Sequence, residues 1–273
     1  MQKTILITGA SSGIGRLTAR LFAEQGWQVA ATMRKLEKAG VLADLDNVHL
    51  FELDVSDFAS VQQAVAACVT QLGQIDVVVN NAGFGVYGPV ELAKPEEIDR
   101  QYDVNVKGVI RVMQAVLPHF RQRGEGLFIQ ISSIAGLLSY PLGALYNSSK
   151  WALEGLTEGM YFELRPLGVR VKLVEPGGFA TNFQQVGLVW TEHAEISDYQ
   201  GMIAQVKARR TAAQPNLPDP IAVAEKILEA ALDEGERLRY LVGDDAEKMA
   251  ARRAEIGAEA FIQEMYQSVK AKE

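Results

Sequence analysis

The stretch TILITGASSGIGRLTARLFAEQG, running from Thr4 to Gly26, decides the fold. An apolar, strand-like run gives way to a turn with Gly9, Gly13 and Gly15, and a helix-length segment follows. Glycines at such a strand-to-helix turn let the backbone bend sharply and approach a ligand closely. The first N–H groups of the helix, with its dipole, then suit a pyrophosphate. The spacing is G-x-x-x-G-x-G rather than the dinucleotide fingerprint G-x-G-x-x-G. Ser11, Ser12 and Ile14 fill the turn between its glycines.

The same alternation continues along the chain. Apolar runs rich in Val, Ile and Leu recur at residues 4–8, 27–33, 48–54, 75–82, 126–133, 169–176 and 239–243, with helix-length segments between them. Runs apolar on both faces and separated by helices mark a parallel sheet covered on both sides, so the expectation is one doubly wound α/β (Rossmann) domain of about seven strands. Helices are expected at 57–72 after Ser56 and Asp57, at 95–104 behind Pro95, and at 148–165 before Pro166. The alternation lapses at 178–218, either a substrate lid or a surface excursion, and Phe179, Phe183, Leu188, Val189 and Trp190 make it too apolar for permanent solvation. A C-terminal helix is expected at 244–269, as a cap on its own chain or as part of an interface between copies.

The totals narrow the function. With 48% hydrophobic and 22% charged residues the chain is expected to fold. A formal net charge of -7 with no dense Lys/Arg block disfavours a nucleic-acid partner. Cys68, the single cysteine, excludes an internal disulfide and leads to an expected cytoplasmic setting; within a helix it also reads as a small apolar residue. The N-terminus enters a strand-like run without an export signal, and no apolar run reaches the ~18 residues of a membrane span, so neither is expected. His49, His119 and His193 show no metal-ligand spacing with one another or with Cys68, and no catalytic metal is expected.

In LYNSSKWALEG, Leu145 to Gly155, Tyr146 stands one helical turn ahead of Lys150. Both side chains then share a helix face, where an ammonium would stabilise a phenolate and bring its pKa towards neutrality. Taken alone, the pair reads equally as a packed tyrosine beside a solvated lysine.

Taken together, TGASSGIG (8–15), NNAG (80–83), NVKG (105–108), ISS (131–133), the Tyr146/Lys150 pair and PGGFAT (176–181) resemble the short-chain dehydrogenase/reductase family, in order and at its separations, over at least residues 3–181. The resemblance implies a nicotinamide-dependent oxidoreductase acting on a ketone or secondary alcohol. It makes Tyr146 the general acid/base and Lys150 the residue that lowers the tyrosine pKa and holds the nicotinamide ribose. Ser133 would orient the substrate oxygen, and Asn105, also readable as a helix N-cap, would anchor a proton relay. Asp54 and Val55 match adenine contacts, Asn81 and Gly83 the adenosine ribose and strand floor, and Pro176, Gly177, Phe179 and Thr181 the nicotinamide end. NNAGFGVYGPVE, YNSSKWALEGLTEGM and LRYLVGDDAEKM are similar to the estradiol 17β-dehydrogenase and retinol dehydrogenase branch. That similarity implies a hydrophobic substrate, and the wider family resemblance implies a homodimer or homotetramer.

Phe84, Val86, Leu138, Leu142, Phe183 and Trp190 are candidates for the substrate pocket or for core. At the end of the second strand-like run, Met33 and Arg34 occupy the place where an NAD enzyme usually has an acid, and no carboxylate follows until Glu37. Arg34 offers a planar donor fork to a 2′-phosphate, with Ser11 and Ser12 opposite, or else is a solvated surface arginine. NADP is therefore expected to be preferred, with NAD possible. The alternatives are a 3-oxoacyl-thioester reductase, which would need a basic surface for an acidic carrier, and a dinucleotide-sensing regulator, which would have no use for Ser133, Tyr146 and Lys150 together.

Overall fold

The computed structural model describes residues 2–181, 183, 187–192 and 196–270. β1 (Thr4–Ile7) is buried along its whole length, as a strand with helices on both sides must be. Beside it lie β2 (Gln28–Met33) and β3 (Val48–Glu52) in one direction and β4 (Val77–Asn80) in the other. The sheet continues through β6 (Gly126–Ile131), β7 (Val169–Pro176) and β9 (Arg239–Val242), giving seven parallel strands in the order β3-β2-β1-β4-β6-β7-β9. The winding reverses between β1 and β4, and such a switch point opens a crevice at the carboxyl ends of the strands. β5 (Gly85–Tyr87), outside this sheet, pairs in parallel with β8 (Leu188–Trp190).

The helices follow the connections. α1 (Gly13–Glu24) leaves the glycine turn, and α2 (Phe58–Leu72) starts where the Asp57 carboxylate accepts the Ala59 N–H at 2.9 Å. α3 (Pro95–Tyr102) has proline at its first position, and the Glu97 carboxylate accepts the N–H of Lys94. α4 (Gly108–Arg123) and α5 (Ala144–Leu164) join α2 on one face of the sheet, around Val61, Val112, Phe120, Phe128 and Leu153. On the other face α1 packs with α7 (Ile221–Leu232) around Phe22, Trp27, Val223, Ile227 and Tyr240. Cys68 is buried inside α2.

Four expectations need correction. α5 begins at Ala144 rather than 148, behind Gly143, which puts Tyr146 in its first turn. Asn105 is no N-cap, because a π-helical turn, Asp103–Lys107, carries the helix on from α3 into α4. Within 178–218 the structure contains β8 and the helix α6 (Gln200–Ala213), joined to the body through β5. The C-terminal segment is two helices, α8 (Asp244–Ile256) and α9 (Ala258–Val269), because Gly257 at φ +83° breaks the run.

The glycine turn is held from both sides. The Thr8 hydroxyl accepts the N–H groups of Asn81 and Ala82 at 3.0 Å each, while the Asn81 amide donates to the carbonyls of Thr8 (2.9 Å) and Gly9 (3.2 Å). A Cβ on Gly15 would lie 2.5 Å from both the Gly9 carbonyl oxygen and the Asn81 side-chain nitrogen, and neither can retreat without breaking this lock. Gly15→Ala is therefore expected to cost about 1–3 kcal/mol of stability. A urea midpoint equal to that of wild type would show that the turn yields instead.

Candidate active site

The crevice at the switch point is a cavity of about 1070 Å³. Gly9, Ser11, Ser12, Gly13 and Ile14 of the turn line one end, with Arg34, Asp54 and Val55 beside them. Asn81 and Gly83 form the middle, and Ser133, Tyr146, Lys150, Pro176, Gly177, Phe179 and Thr181 line the other end. Residues far apart in sequence thus meet on one wall. Gly15 lies behind the lining, against Gly9. Asn105 is also behind it: its Oδ1 accepts the Phe84 N–H at 3.0 Å, and its amide donates to the Phe84 carbonyl (2.9 Å) and the Ser149 hydroxyl (3.1 Å).

Of the six substrate-pocket candidates, Phe84 and Phe183 line the cavity and the other four do not. Leu138 is core, packed with Ile134, Ala246 and Phe261. Leu142 sits at φ +60°, and its carbonyl accepts the Gly88 N–H at 2.7 Å. Trp190 stands behind Tyr87, ring centres 5.9 Å apart. Side chains alternate along a strand, so where Tyr87 faces the cavity Val86 turns away, and GVY is too short to show in sequence which of the two does so. Sequence reasoning also missed Arg16 and Lys38 near Arg34, and Tyr140, Val206 and Arg210 at the far end. Arg16 holds the turn, donating to the carbonyls of Ser11 and Lys38.

On α5, the first turn buries Tyr146, with Lys150 one turn below it and its ammonium 5.9 Å from the ring centre. Burial pushes the Tyr146 hydroxyl well above its ordinary pKa, reinforced by Tyr87 and opposed by the Ser133 hydroxyl and Arg210. The expected drop towards neutrality is thus outweighed, since a phenolate would be desolvated. Lys150 donates to the Ile131 carbonyl at 2.7 Å, and burial lowers its pKa to about 8 against the pull of Glu154. Asp54 is held below the usual carboxylate value, burial being overcome by the N–H and hydroxyl of Ser56.

No helix among the described residues is long and apolar enough to cross a membrane, and none of their His, Cys, Asp and Glu groups is arranged to hold a metal. The His119 ring accepts the Ile75 N–H at 3.1 Å, and His49 lies between Gln28 and Gln71. His193 is outside the described residues.

Comparison with known proteins gives the family and the fold. The model of the family "short chain dehydrogenase" matches residues 3–188. The chain belongs to the short-chain dehydrogenase family. This dehydrogenase is 40% identical to the 3-ketodihydrosphingosine reductase of Bacteroides thetaiotaomicron, over 72% of its own length and 69% of the relative's. It is 36% identical to human 17-beta-hydroxysteroid dehydrogenase type 1, over 86% and 76% of the two chains. A short-chain dehydrogenase from Streptomyces avermitilis superposes with a TM-score of 0.85 at 33% identity, covering 98% of this chain and 97% of that one. Relatives from Burkholderia phymatum, solved with NAD (TM-score 0.79, 27% identity, 93% of each chain), and Burkholderia cenocepacia, solved with NADP (0.77, 25%, 97% and 99%), share the fold.

Behind Lys150 the dehydrogenase buries two further carboxyls, Glu154 on α5 and Glu175 on β7, with relative exposures of 5% and 0%. Arg239 serves both, at 3.2 Å from Glu154 and 3.1 Å from Glu175, and also reaches Glu158 at 2.8 Å. One guanidinium cannot balance two buried carboxylates and an exposed third. Burial, with Glu154 alongside, raises the Glu175 pKa to about 8. The folded state therefore keeps a proton that the unfolded chain releases near the ordinary carboxylate value, so stability is lost as pH climbs from there through about 8. Glu175→Gln, which cannot ionise, is expected to gain melting temperature relative to wild type between about pH 5 and about pH 9, whatever its offset at low pH. A gap that does not change with pH would exclude the buried proton.

Proposed function

We propose that the dehydrogenase interconverts a ketone and its secondary alcohol on a hydrophobic small molecule, with NADP preferred over NAD. The observation carrying this reading is the meeting of Ser133, Tyr146 and Lys150 at one end of a cavity whose other end is the glycine turn. The turn fits a dinucleotide: α1 opens there at Gly13, and at Gly15 the backbone leaves no room for a side chain. Solved relatives that hold NAD or NADP, and relatives named for a hydroxysteroid and for 3-ketodihydrosphingosine, support the cofactor and substrate classes.

When bound, the nicotinamide supplies or accepts the hydride. The N–H groups of the turn would receive the pyrophosphate, and Asp54 and Val55 would hold the adenine. Pro176, Gly177, Phe179 and Thr181 would hold the nicotinamide end, and Lys150 would donate to the ribose hydroxyls there. The Ser133 hydroxyl fixes the substrate oxygen, and Tyr146 gives that oxygen a proton in reduction or takes one from the alcohol in oxidation. Asn105, its amide engaged by Phe84 and Ser149, braces the floor and would anchor the relay through the acceptor capacity those bonds leave unused. Phe84 and Phe183 supply apolar wall.

Tyr146→Phe removes the proton and keeps the ring, so turnover of a ketone panel, followed as NADPH loss, is expected to fall about 10²–10⁴-fold while cofactor still binds. Because burial keeps the phenol protonated, wild-type alcohol oxidation should quicken as pH rises above neutral and ketone reduction should not. A near-wild-type rate in the variant, or identical pH profiles in the two directions, would remove Tyr146 from the mechanism.

The cofactor preference is supported by Arg34, which follows β2 directly, is exposed on the cavity wall and makes no ion pair among the described residues. An arginine–phosphate contact worth about 1.4 kcal/mol gives a tenfold preference. The ratio of kcat/KM for NADPH over NADH is expected to be about ten or more, and to collapse in Arg34→Ala. A wild type that favours NADH, or a ratio untouched by the substitution, would refute the assignment.

A further inference from the structure

The reactive end of the cavity contains a cation that the proposed chemistry does not use. α6 leans over this end, and its Val206, Arg209, Arg210 and Ala213 line the cavity. The Arg210 guanidinium carbon lies 4.6 Å from the centre of the Tyr87 ring, and that ring is 5.5 Å from the ring of Tyr146. A positive charge is thus stacked one aromatic ring away from the residue proposed to move the proton.

Arg210 has no carboxylate partner among the described residues, although its surroundings contain acids. On the same helix, Lys207 takes Glu192. Asp245, the acid on the same stretch of wall, accepts the N–H of Gly178 at 2.7 Å and closes the turn after β7. Arg209 is exposed, whereas Arg210 is half-buried against Tyr87, itself only 5% exposed. The guanidinium also meets the Tyr87 hydroxyl, and its fork of N–H donors keeps others for a planar oxyanion. A neutral substrate filling the cavity would strip water from this charge and return nothing; an anionic one would match it. Of the other cations on the wall, Arg16, Arg34 and Lys38 lie with the glycine turn and Met33, and Arg100 lies over the Phe84 ring and acts on Asp54, so Arg210 is not part of that group.

We propose, resting on the ketone/alcohol reading above, that the substrate carries a carboxylate on its apolar body and that Arg210 reads it: a keto acid, or the matching hydroxy acid, in place of a neutral ketone. The carboxylate seats on the guanidinium edge, the chain lies along Tyr87 and Phe183, and the carbonyl reaches Ser133 and Tyr146.

The test compares kcat/KM for levulinate and its longer methyl-ketone homologues with kcat/KM for their methyl esters, in wild type, Arg210→Gln and Arg210→Lys. Wild type is expected to favour the best acid over its ester by about tenfold or more, a contact of ordinary charge-assisted strength. Arg210→Gln should bring the ratio to about one, and Arg210→Lys, which keeps the charge without the fork, should retain part of it. A wild-type ratio near or below one overturns the proposal. So does an Arg210→Gln variant that loses acid and ester equally, as a merely structural role for α6 would produce, or one that raises the KM for NADPH, which would put Arg210 on the cofactor. Calorimetric binding of octanoate to wild type and Arg210→Gln decides the matter separately from turnover. Binding that Arg210→Gln abolishes supports the carboxylate site even if no ketone is reduced and the reading of function fails; equal or absent binding in both proteins overturns it.

Discussion

The geometry of the crevice depends on a short hydrogen-bonded lock between the ends of β1 and β4. Thr8 receives two N–H groups from the chain leaving β4, and Asn81 returns two hydrogen bonds to the chain leaving β1. These neighbouring strands pair as far as Ile7 and Val79, with the Thr8 N–H donating to the Val79 carbonyl at 3.0 Å, and the lock carries that register on into the connections where the sheet opens. The lock also fixes the Gly9 carbonyl against Gly15, which sets where α1 begins and where its first N–H groups point. A displacement here would move the cradle relative to α5, and the two ends of the cavity would no longer form one site.

Along α5, three ionisable groups follow one another at single-turn intervals: Tyr146, Lys150 and Glu154. Each is buried, and each is drawn towards its neutral form by loss of water. The phenol keeps its proton, the ammonium becomes easier to deprotonate, and the carboxyl shares its surroundings with Glu175 and a single arginine. Charge on any one member depends on its neighbours, because the same low-dielectric wall surrounds them all. The carboxyl pair behind Lys150 is thus part of its electrical environment even though it does not line the cavity.

Much of this organisation was legible in the sequence. A parallel strand buried on both faces must be apolar throughout, so the seven runs stood out, and residues 169–176 coincide with β7. The glycine turn and the Tyr146/Lys150 pair were legible because their spacing carries the chemistry. What escaped notice depends on contacts between distant segments. Choosing Val86 rather than Tyr87 is a one-residue error on a strand too short for its alternation to show. Leu138 is as apolar as any pocket residue, and only the packing of α8 and α9 against it makes it core. Arg210 lies on a helix in a stretch whose periodicity is weak, and nothing local marks it as facing inward. The burial that raises the Tyr146 pKa comes from Tyr87 and Phe183, which arrive from two other parts of the chain.

The π-helical turn between α3 and α4 has a consequence for how this chain can vary. A wider turn accommodates one residue more than an α-helical turn, and here the widened stretch carries Asn105 inward between Phe84 and Ser149. Removing a single residue would let the segment relax into a continuous α-helix with the helix beyond it in nearly the same phase, because the widened turn is where the extra residue is absorbed. Val109, Val112, Met113 and Val116, which fill the core beneath the sheet, would stay on it, and the loss would fall on Asn105 and its contacts to Phe84 and Ser149. The length of the turn is therefore fixed by the place of Asn105, whereas within α4 itself a deletion or insertion would rotate everything beyond it by about 100° and turn those side chains from the core.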